Sequence, residues 1–234
     1  MKSIAIIPAR GGSKGVRRKN IRQVAGSPLI SYAIDCARDS KKITDFIVDT
    51  DDAEIAEVCK QLDAEVLMRP PELAQDTSSV VDVAINTIKQ LSEKGRTYDI
   101  VVLLQPTAPI RTGKNLDDII DLFERDVDQA VEGVVSVIEQ SDVHPARMYT
   151  LENLNMIALN PKLEHKRRQD LYPVYFRNGC FYAVRRDVLL YKQTFMPEQK
   201  KAYVMPAEWL ANVDNDRDLL IADTLVKAWK DGVV

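Results

Sequence analysis

The chain has 234 residues, enough for one large domain or a domain with a small appendage, and its 45% apolar and 29% charged content excludes a disordered or collagen-like polymer. Thirty-two basic against 35 acidic residues give a net charge of -3, which speaks against a nucleic-acid partner and requires any bound anion to meet a local basic patch. No apolar run approaches the roughly 18–20 residues needed to cross a bilayer, and residues 4–7 are too short for a signal-peptide core. A cytoplasmic protein with no membrane partner is expected. The three cysteines, Cys36, Cys59 and Cys180, show no C-x-x-C spacing, so neither a disulfide framework nor a zinc site is indicated.

In chain order, residues 4–7 read as a buried strand ended by Pro8. A glycine-rich basic loop runs to Gly26, and Ser27-Pro28 is expected to open a helix, because serine caps free amides and proline fits a first turn. A strand at 46–48 is followed by a helix over 53–62, whose acidic start at Asp51, Asp52 and Glu54 suits the positive end of its dipole. A third short strand covers 65–68. Val81, Ala84, Ile85, Ile88 and Leu91 fall at helical spacing, and the wholly apolar run 100–104 fits a central parallel strand. A helix marked by Leu116, Ile119, Ile120 and Phe123 and a strand over 134–138 continue the alternation. The pattern predicts an α/β fold with a mostly parallel open sheet and helices on both faces.

Between about 142 and 206 that rhythm fails among prolines, aromatics and the basic run Lys166-Arg167-Arg168. An appendage is expected there, with residues 1–141 and 207–234 forming the α/β domain. Asn178-Gly179, flanked by apolar and aromatic residues, can form a two-residue hairpin turn. Leu219, Ala222, Val226 and Trp229 mark a final helix.

The chemistry is concentrated directly after the first strand. Residues 10–22 carry Arg10, Lys14, Arg17, Arg18, Lys19 and Arg22 without one acidic residue. Open α/β sheets bind ligands at the carboxyl ends of their strands, where glycines let the backbone approach phosphate oxygens and lysine and arginine supply the charge. The glycines at 11, 12 and 15 match neither the Walker pattern nor G-x-G-x-x-G. Near the other end, Asp214 and Asp216 flank one residue before the last helix. In a strand-like geometry both would face one hard cation; a cap for that helix is the alternative. Gln105, at the end of the central strand, is placed to read a ligand or to satisfy a turn. His144 and His165 are the only histidines and support no hydrolase triad; His144 reads as a structural turn residue.

The stretch Ile7-Pro8-Ala9-Arg10-Gly11-Gly12-Ser13-Lys14-Gly15 with Lys19-Asn20 resembles the signature of the CMP-N-acetylneuraminic acid synthetases, the cytidylyltransferases that activate sialic acids. The resemblance continues at Thr50-Asp51-Asp52, Arg69-Pro70 with Glu72-Leu73-Ala74 and Asp76, residues 104–109 with Arg111, His144-Pro145, Arg168-Gln169 with Leu171, Asn178-Gly179 with Tyr182, and Asp214 with Asp216. It implies a Rossmann-like nucleotidyltransferase that moves CMP from CTP to the anomeric hydroxyl of N-acetylneuraminic acid and releases pyrophosphate. Arg10 and Lys19 would hold the phosphates with Lys14 assisting, while Ala9, Asn20, Arg69, Ser78 and Ser79 would meet the nucleotide. Gln105, Arg147, Arg168 and Tyr182 would meet the sugar acid, and Asp214 and Asp216 would hold Mg²⁺. The segment 142–206 looks like the family's small dimerisation and sugar-binding element, so a homodimer is expected. Arg147 where the family commonly has lysine, and Asp49 where serine is usual, leave a related acid such as legionaminic or pseudaminic acid as the alternative acceptor. A non-catalytic nucleotide or sugar-acid binding paralogue is the alternative of a different class.

Overall fold

The computed structural model describes residues 1–234 except Lys14, Asp76, Val127 and Gln129. The chain opens with β1 (Ser3–Pro8), whose alternate side chains, Ile4 and Ile6 against Ala5 and Ile7, are buried on opposite faces of the sheet. After the basic loop, β2 (Gln23–Val24) and β3 (Ser27–Pro28) pair antiparallel. Their connection, Ala25-Gly26, has positive φ at both residues, +47° and +81°, as the tight hairpin turn that matches strand twist requires. Ser27-Pro28 therefore belongs to a hairpin rather than to a helix start, and α1 begins later (Ser31–Asp39). The correction has a local cause: a serine-proline pair suits an extended edge as well as a first helical turn, and Asp223 accepts from the Ala25 amide at 2.7 Å, tying the hairpin to the last helix.

The alternation then runs as expected through β4 (Asp45–Thr50), α2 (Ala53–Gln61), β5 (Val66–Met68), α3 (Val80–Glu93), β6 (Ile100–Leu103), α4 (Gly113–Glu124) and β7 (Gly133–Gln140). Side chains cap two of these helices. Asp52 accepts from the amides of Glu54 and Ile55 at the start of α2, and Thr112 forms a reciprocal capping box with Asn115 at the start of α4. A small hairpin, β8 (Tyr149–Glu152) and β9 (Asn155–Ala158), is followed by β10 (Val174–Arg185), α5 (Arg186–Lys192), β11 (Lys200–Met205) and α6 (Asp216–Lys230).

The main sheet has seven strands in the order β11-β7-β10-β6-β1-β4-β5. All pairings are parallel except those of β10, which runs antiparallel to β6 and β7. One face is covered by α1, α2 and α4, the other by α3 and α5, and α6 packs on Val24 and Leu29 of the β2–β3 corner. Two strands of this sheet, β10 and β11, come from the irregular segment 142–206; the β8–β9 hairpin stands in a separate sheet. Asn178-Gly179 makes no hairpin turn. It lies inside β10, where the register shifts between Arg177 and Tyr182, and the buried Asn178 amide oxygen accepts from Ser136 at 2.6 Å and from the Cys180 amide at 3.3 Å. Among the described residues, no helix is long and apolar enough to cross a membrane.

Candidate active site

Because α1 and α2 lie on one face and α3 on the other, the chain changes direction across the sheet between β1 and β6. The carboxyl ends of these two neighbouring strands open a crevice there. A cleft of about 460 Å³ occupies it, lined by Arg10 after β1, Lys19 and Asn20 beyond the basic loop, Arg69 after β5, Ser78 before α3, Gln105 after β6, and Asp214 before α6. Seven residues spread over 205 positions of sequence are thus brought together by strand ends.

The glycine-rich loop is held in place by acids from elsewhere in the chain. Asp51 accepts from the Gly11 amide at 3.1 Å, and Arg18 is paired with Asp52 at 2.5 Å and with Glu54 at 2.9 Å. Burial raises the Asp52 carboxyl pKa, but the helix amides and Arg18 outweigh it, leaving the pKa below the ordinary carboxylate value. The basic run is accordingly divided: Arg18 anchors the loop outside the cleft, while Arg10 and Lys19 line the cleft. A side chain could not replace two of the glycines as they stand. A Cβ at Gly11 would come within 2.3 Å of Asp52 Oδ2, and one at Gly15 within 1.9 Å of the Asp214 carbonyl oxygen.

Lys19 donates to the Val213 carbonyl at 2.9 Å and to Asp214 Oδ1 at 3.2 Å, leaving one of its three N–H groups for a ligand. Asn20 donates to the Arg10 carbonyl at 3.0 Å, which joins the two ends of the basic loop. Asp214 stays largely open to solvent, with its side chain 65% exposed. Asn215, between the two carboxylates, has the extended backbone expected there, φ -143° and ψ 177°, while its side chain caps α6 in a box with Asp218; Asp214 lines the cleft, and Asp216, outside its lining, is the exposed first residue of the helix. The described residues contain no group of three or more acidic, histidine or cysteine side chains arranged around a common point. A single open carboxylate beside a triphosphate-sized basic cleft nevertheless fits Mg²⁺, which takes few protein ligands and completes its shell with water and substrate phosphates.

The remaining sequence candidates fall elsewhere. Lys14 and Asp76 lie outside the described residues. Ala9 is buried beneath the cleft, its amide donating to the Asp49 carbonyl and its carbonyl accepting from Thr50. Ser79 caps α3 through the Val81 amide. Tyr182 is half-buried in β10 opposite Leu103, and burial raises its phenol pKa. Arg147 is exposed in the turn capped by His144, whose Nδ1 accepts from the Ala146 amide and whose Nε2 lies 3.1 Å from the Tyr172 carbonyl, consistent with its reading as a turn residue. Arg168 is exposed and paired with Asp142 at 2.7 Å, beside a second cavity of about 500 Å³ that His144 and Tyr172 also line.

Two supporting residues carry more than the sequence alone assigned to them. Arg111 is fully enclosed with no carboxylate partner in the described residues; it donates to the carbonyls of Ala108, Cys180 and Gln105 and lies over the Phe181 ring. It therefore ties the loop that presents Gln105 to the irregular part of β10. Asp49 has no exposed surface and is bonded to Arg69 at 2.5 Å. A residue with no exposed surface does not contact a ligand, so its departure from serine is not a direct reading of the sugar. An acid directly after the apolar run Phe46-Ile47-Val48 was the available signal of a buried partner.

Residues 4–219 match the model of the cytidylyltransferase family, and the chain belongs to that family. Among curated proteins it is 34% identical to N-acylneuraminate cytidylyltransferase A of Danio rerio, over 95% of this chain and 50% of that protein, so it spans about half the length of that relative. It is 31% identical to the pseudaminic acid cytidylyltransferase of Campylobacter jejuni, over 97% of both chains. A solved structure of CMP:2-keto-3-deoxy-manno-octonic acid synthetase complexed with CTP superposes with a TM-score of 0.74 and 17% identity, covering 98% of this chain and 100% of that one, a likeness of fold.

Proposed function

We propose that this chain transfers CMP from CTP to the anomeric hydroxyl of a nine-carbon α-keto acid sugar, N-acetylneuraminic acid in the first reading, with release of pyrophosphate. The observation that carries it is the convergence of Arg10, Lys19 and Asp214 with Asn20, Arg69 and Ser78 in one cleft at the strand ends, in a chain of the cytidylyltransferase family. The hydroxyl oxygen bonds to the α-phosphorus, the bond from that phosphorus to the pyrophosphate oxygen breaks, and the hydroxyl proton is released. Charge grows on the phosphate oxygens as this happens, and Arg10 and Lys19 stabilise it from fixed positions, Lys19 being held by the Val213 carbonyl. Asn20, Arg69 and Ser78 orient the nucleotide, and Gln105 meets the sugar acid. Mg²⁺ at Asp214, with Asp216 from the adjoining helix turn, would neutralise phosphate charge when bound.

We assign the segment 142–206 to a dimerisation and sugar-binding element of a homodimer, with Arg147 and Arg168 reaching the neighbouring subunit's sugar site. Supporting this, both arginines lie outside the lining of their own cleft and are exposed. Leu151, Leu154, Met156 and Ile157 form an exposed apolar set on the β8–β9 hairpin. The end-to-end match to the Campylobacter jejuni relative favours a second reading, the same reaction with pseudaminic acid as acceptor. The test is pyrophosphate release from CTP and Mg²⁺ with N-acetylneuraminic, legionaminic, pseudaminic and 3-deoxy-octulosonic acids in parallel. Release that depends on one nine-carbon acid supports the proposal and names the acceptor; CTP binding without release under any acid supports a non-catalytic binding protein.

A further inference from the structure

The cleft arginine at 69 does not stand alone. Its Nε donates to Asp49 Oδ1 at 2.5 Å, its Nη2 to the Asp49 carbonyl at 3.1 Å, and its own amide to the Thr50 carbonyl at 2.7 Å. Asp49 is fully enclosed, and its second oxygen, Oδ2, lies 2.8 Å from the hydroxyl of the equally enclosed Thr87 on α3. Both carboxylate oxygens thus have a partner, and two of the three guanidinium nitrogens point back into the protein. Nη1 has no hydrogen-bond partner among the described residues, while Arg69 lines the cleft. A long flexible side chain loses rotamer freedom when it grips a ligand, and one already clamped has lost it beforehand.

We propose that Asp49, steadied by Thr87, is a positioning residue for nucleotide recognition: it fixes the Arg69 guanidinium in the cleft wall so that Nη1 is the donor offered to the nucleotide. The proposal rests on the reading that Arg69 meets the cytidine nucleotide. Asp49 itself touches no ligand. Substituting it with asparagine keeps the shape but replaces one acceptor oxygen with a donor and removes the charge that opposes the guanidinium. Thr87→Val keeps the volume and removes only the hydroxyl.

The test is CTP affinity by calorimetry on the full chain, with KM and kcat measured alongside, for Asp49→Asn, Thr87→Val, Arg69→Ala and the double variant Asp49→Asn/Arg69→Ala. Asp49→Asn should raise the CTP Kd and KM by about tenfold while kcat at saturating CTP stays within about threefold, because only pre-organisation is lost. Thr87→Val should raise Kd about two- to threefold, the scale of one neutral hydrogen bond. The double variant should bind CTP no more weakly than Arg69→Ala, since Asp49 acts through Arg69. Parent-like affinity in Asp49→Asn, with weakened affinity in Arg69→Ala, overturns the proposal and leaves the nucleotide site standing. Parent-like affinity in Arg69→Ala overturns the assignment of Arg69 to the nucleotide. If Asp49→Asn does not fold, Thr87→Val decides, and a parent-like Kd there overturns the proposal. A role confined to structure would lower thermal stability without moving the Kd of the folded protein.

Discussion

The cleft at the ends of β1 and β6 and the β8–β9 hairpin solve opposite problems. In the cleft, the polar groups that matter are braced by other groups of the same chain: Lys19 by Val213, Arg69 by Asp49, and the Gln105 loop by Arg111. On the hairpin, apolar side chains face solvent, and the turn joining its strands places Asn153 and Leu154 at positive φ, +48° and +69°. A leucine in the left-handed region costs about 1–2 kcal/mol; the two-residue turn between the paired strands requires that backbone, and the leucine side chain is left 90% exposed. The groups proposed to hold the nucleotide are thus braced within the chain, whereas the exposed apolar hairpin belongs to the surface proposed for the homodimer.

The sharpest way to break this comparison is at its braced end. Arg10→Ala should lower kcat/KM by about 10²–10³-fold, the range for removing one pre-organised donor from a developing charge. Thermal stability should change far less than turnover, because Arg10 lies in a loop that lines the cleft and not in the core. Near-normal turnover would remove Arg10 from the phosphates. Asp214→Asn should lower activity by about tenfold or more and raise the Mg²⁺ concentration needed for half-maximal rate, since one hard oxygen ligand is neutralised. An unchanged Mg²⁺ response would leave Asp214 as a partner of Lys19 alone.

At the exposed end, Leu154→Asn should raise the dimer dissociation constant by about tenfold in sedimentation, as loss of a large buried side chain does at an interface. The isolated subunit should be as stable or more stable, because asparagine tolerates positive φ. If association is unaffected, the hairpin lies outside the interface. Mixing Arg168→Ala with Arg10→Ala subunits should then restore part of the lost activity, and failure despite proven exchange would place each sugar pocket within one chain.

A separate effect, silent at neutral pH, concerns the buried thiols. Burial pushes Cys36 and Cys59 up to about 12 and Cys180 to about 11, from an ordinary value of 9.0. The folded state therefore keeps protons that the unfolded chain releases above pH 9, so stability is level below pH 9 and falls between pH 9 and 12. Thermal melts across pH 7–11 check this, and native cysteines should react slowly with thiol reagents at neutral pH.

The α/β alternation was legible because buried parallel strands leave continuous apolar runs, as at Ile100, Val101, Val102 and Leu103, and helices leave a 3.6-residue period, as in α3. The cleft was legible to the extent that its residues follow strand ends: Arg10, Arg69 and Gln105 each come within two residues of one. Local turn chemistry was less informative. Ala25-Gly26 carries the tight turn while the stronger-looking Asn178-Gly179 lies in a strand irregularity, because Ser136 and the Cys180 amide satisfy the asparagine inside the sheet. Strands β10 and β11 escaped the alternation since the first runs antiparallel and both are partly exposed, which breaks the buried apolar run a parallel interior strand would show. The Asp49–Arg69 pair joins residues 20 apart through the β4–β5 pairing, a contact no local pattern encodes.

A crystal structure with a CTP analogue whose α,β-bridging oxygen is replaced by carbon addresses the central claim most directly. The triphosphate should lie between Arg10 and Lys19, with the cytosine nucleoside against Asn20, Arg69 and Ser78. A nucleotide seated instead in the cavity beside Arg168, with the strand-end cleft left open, would contradict it.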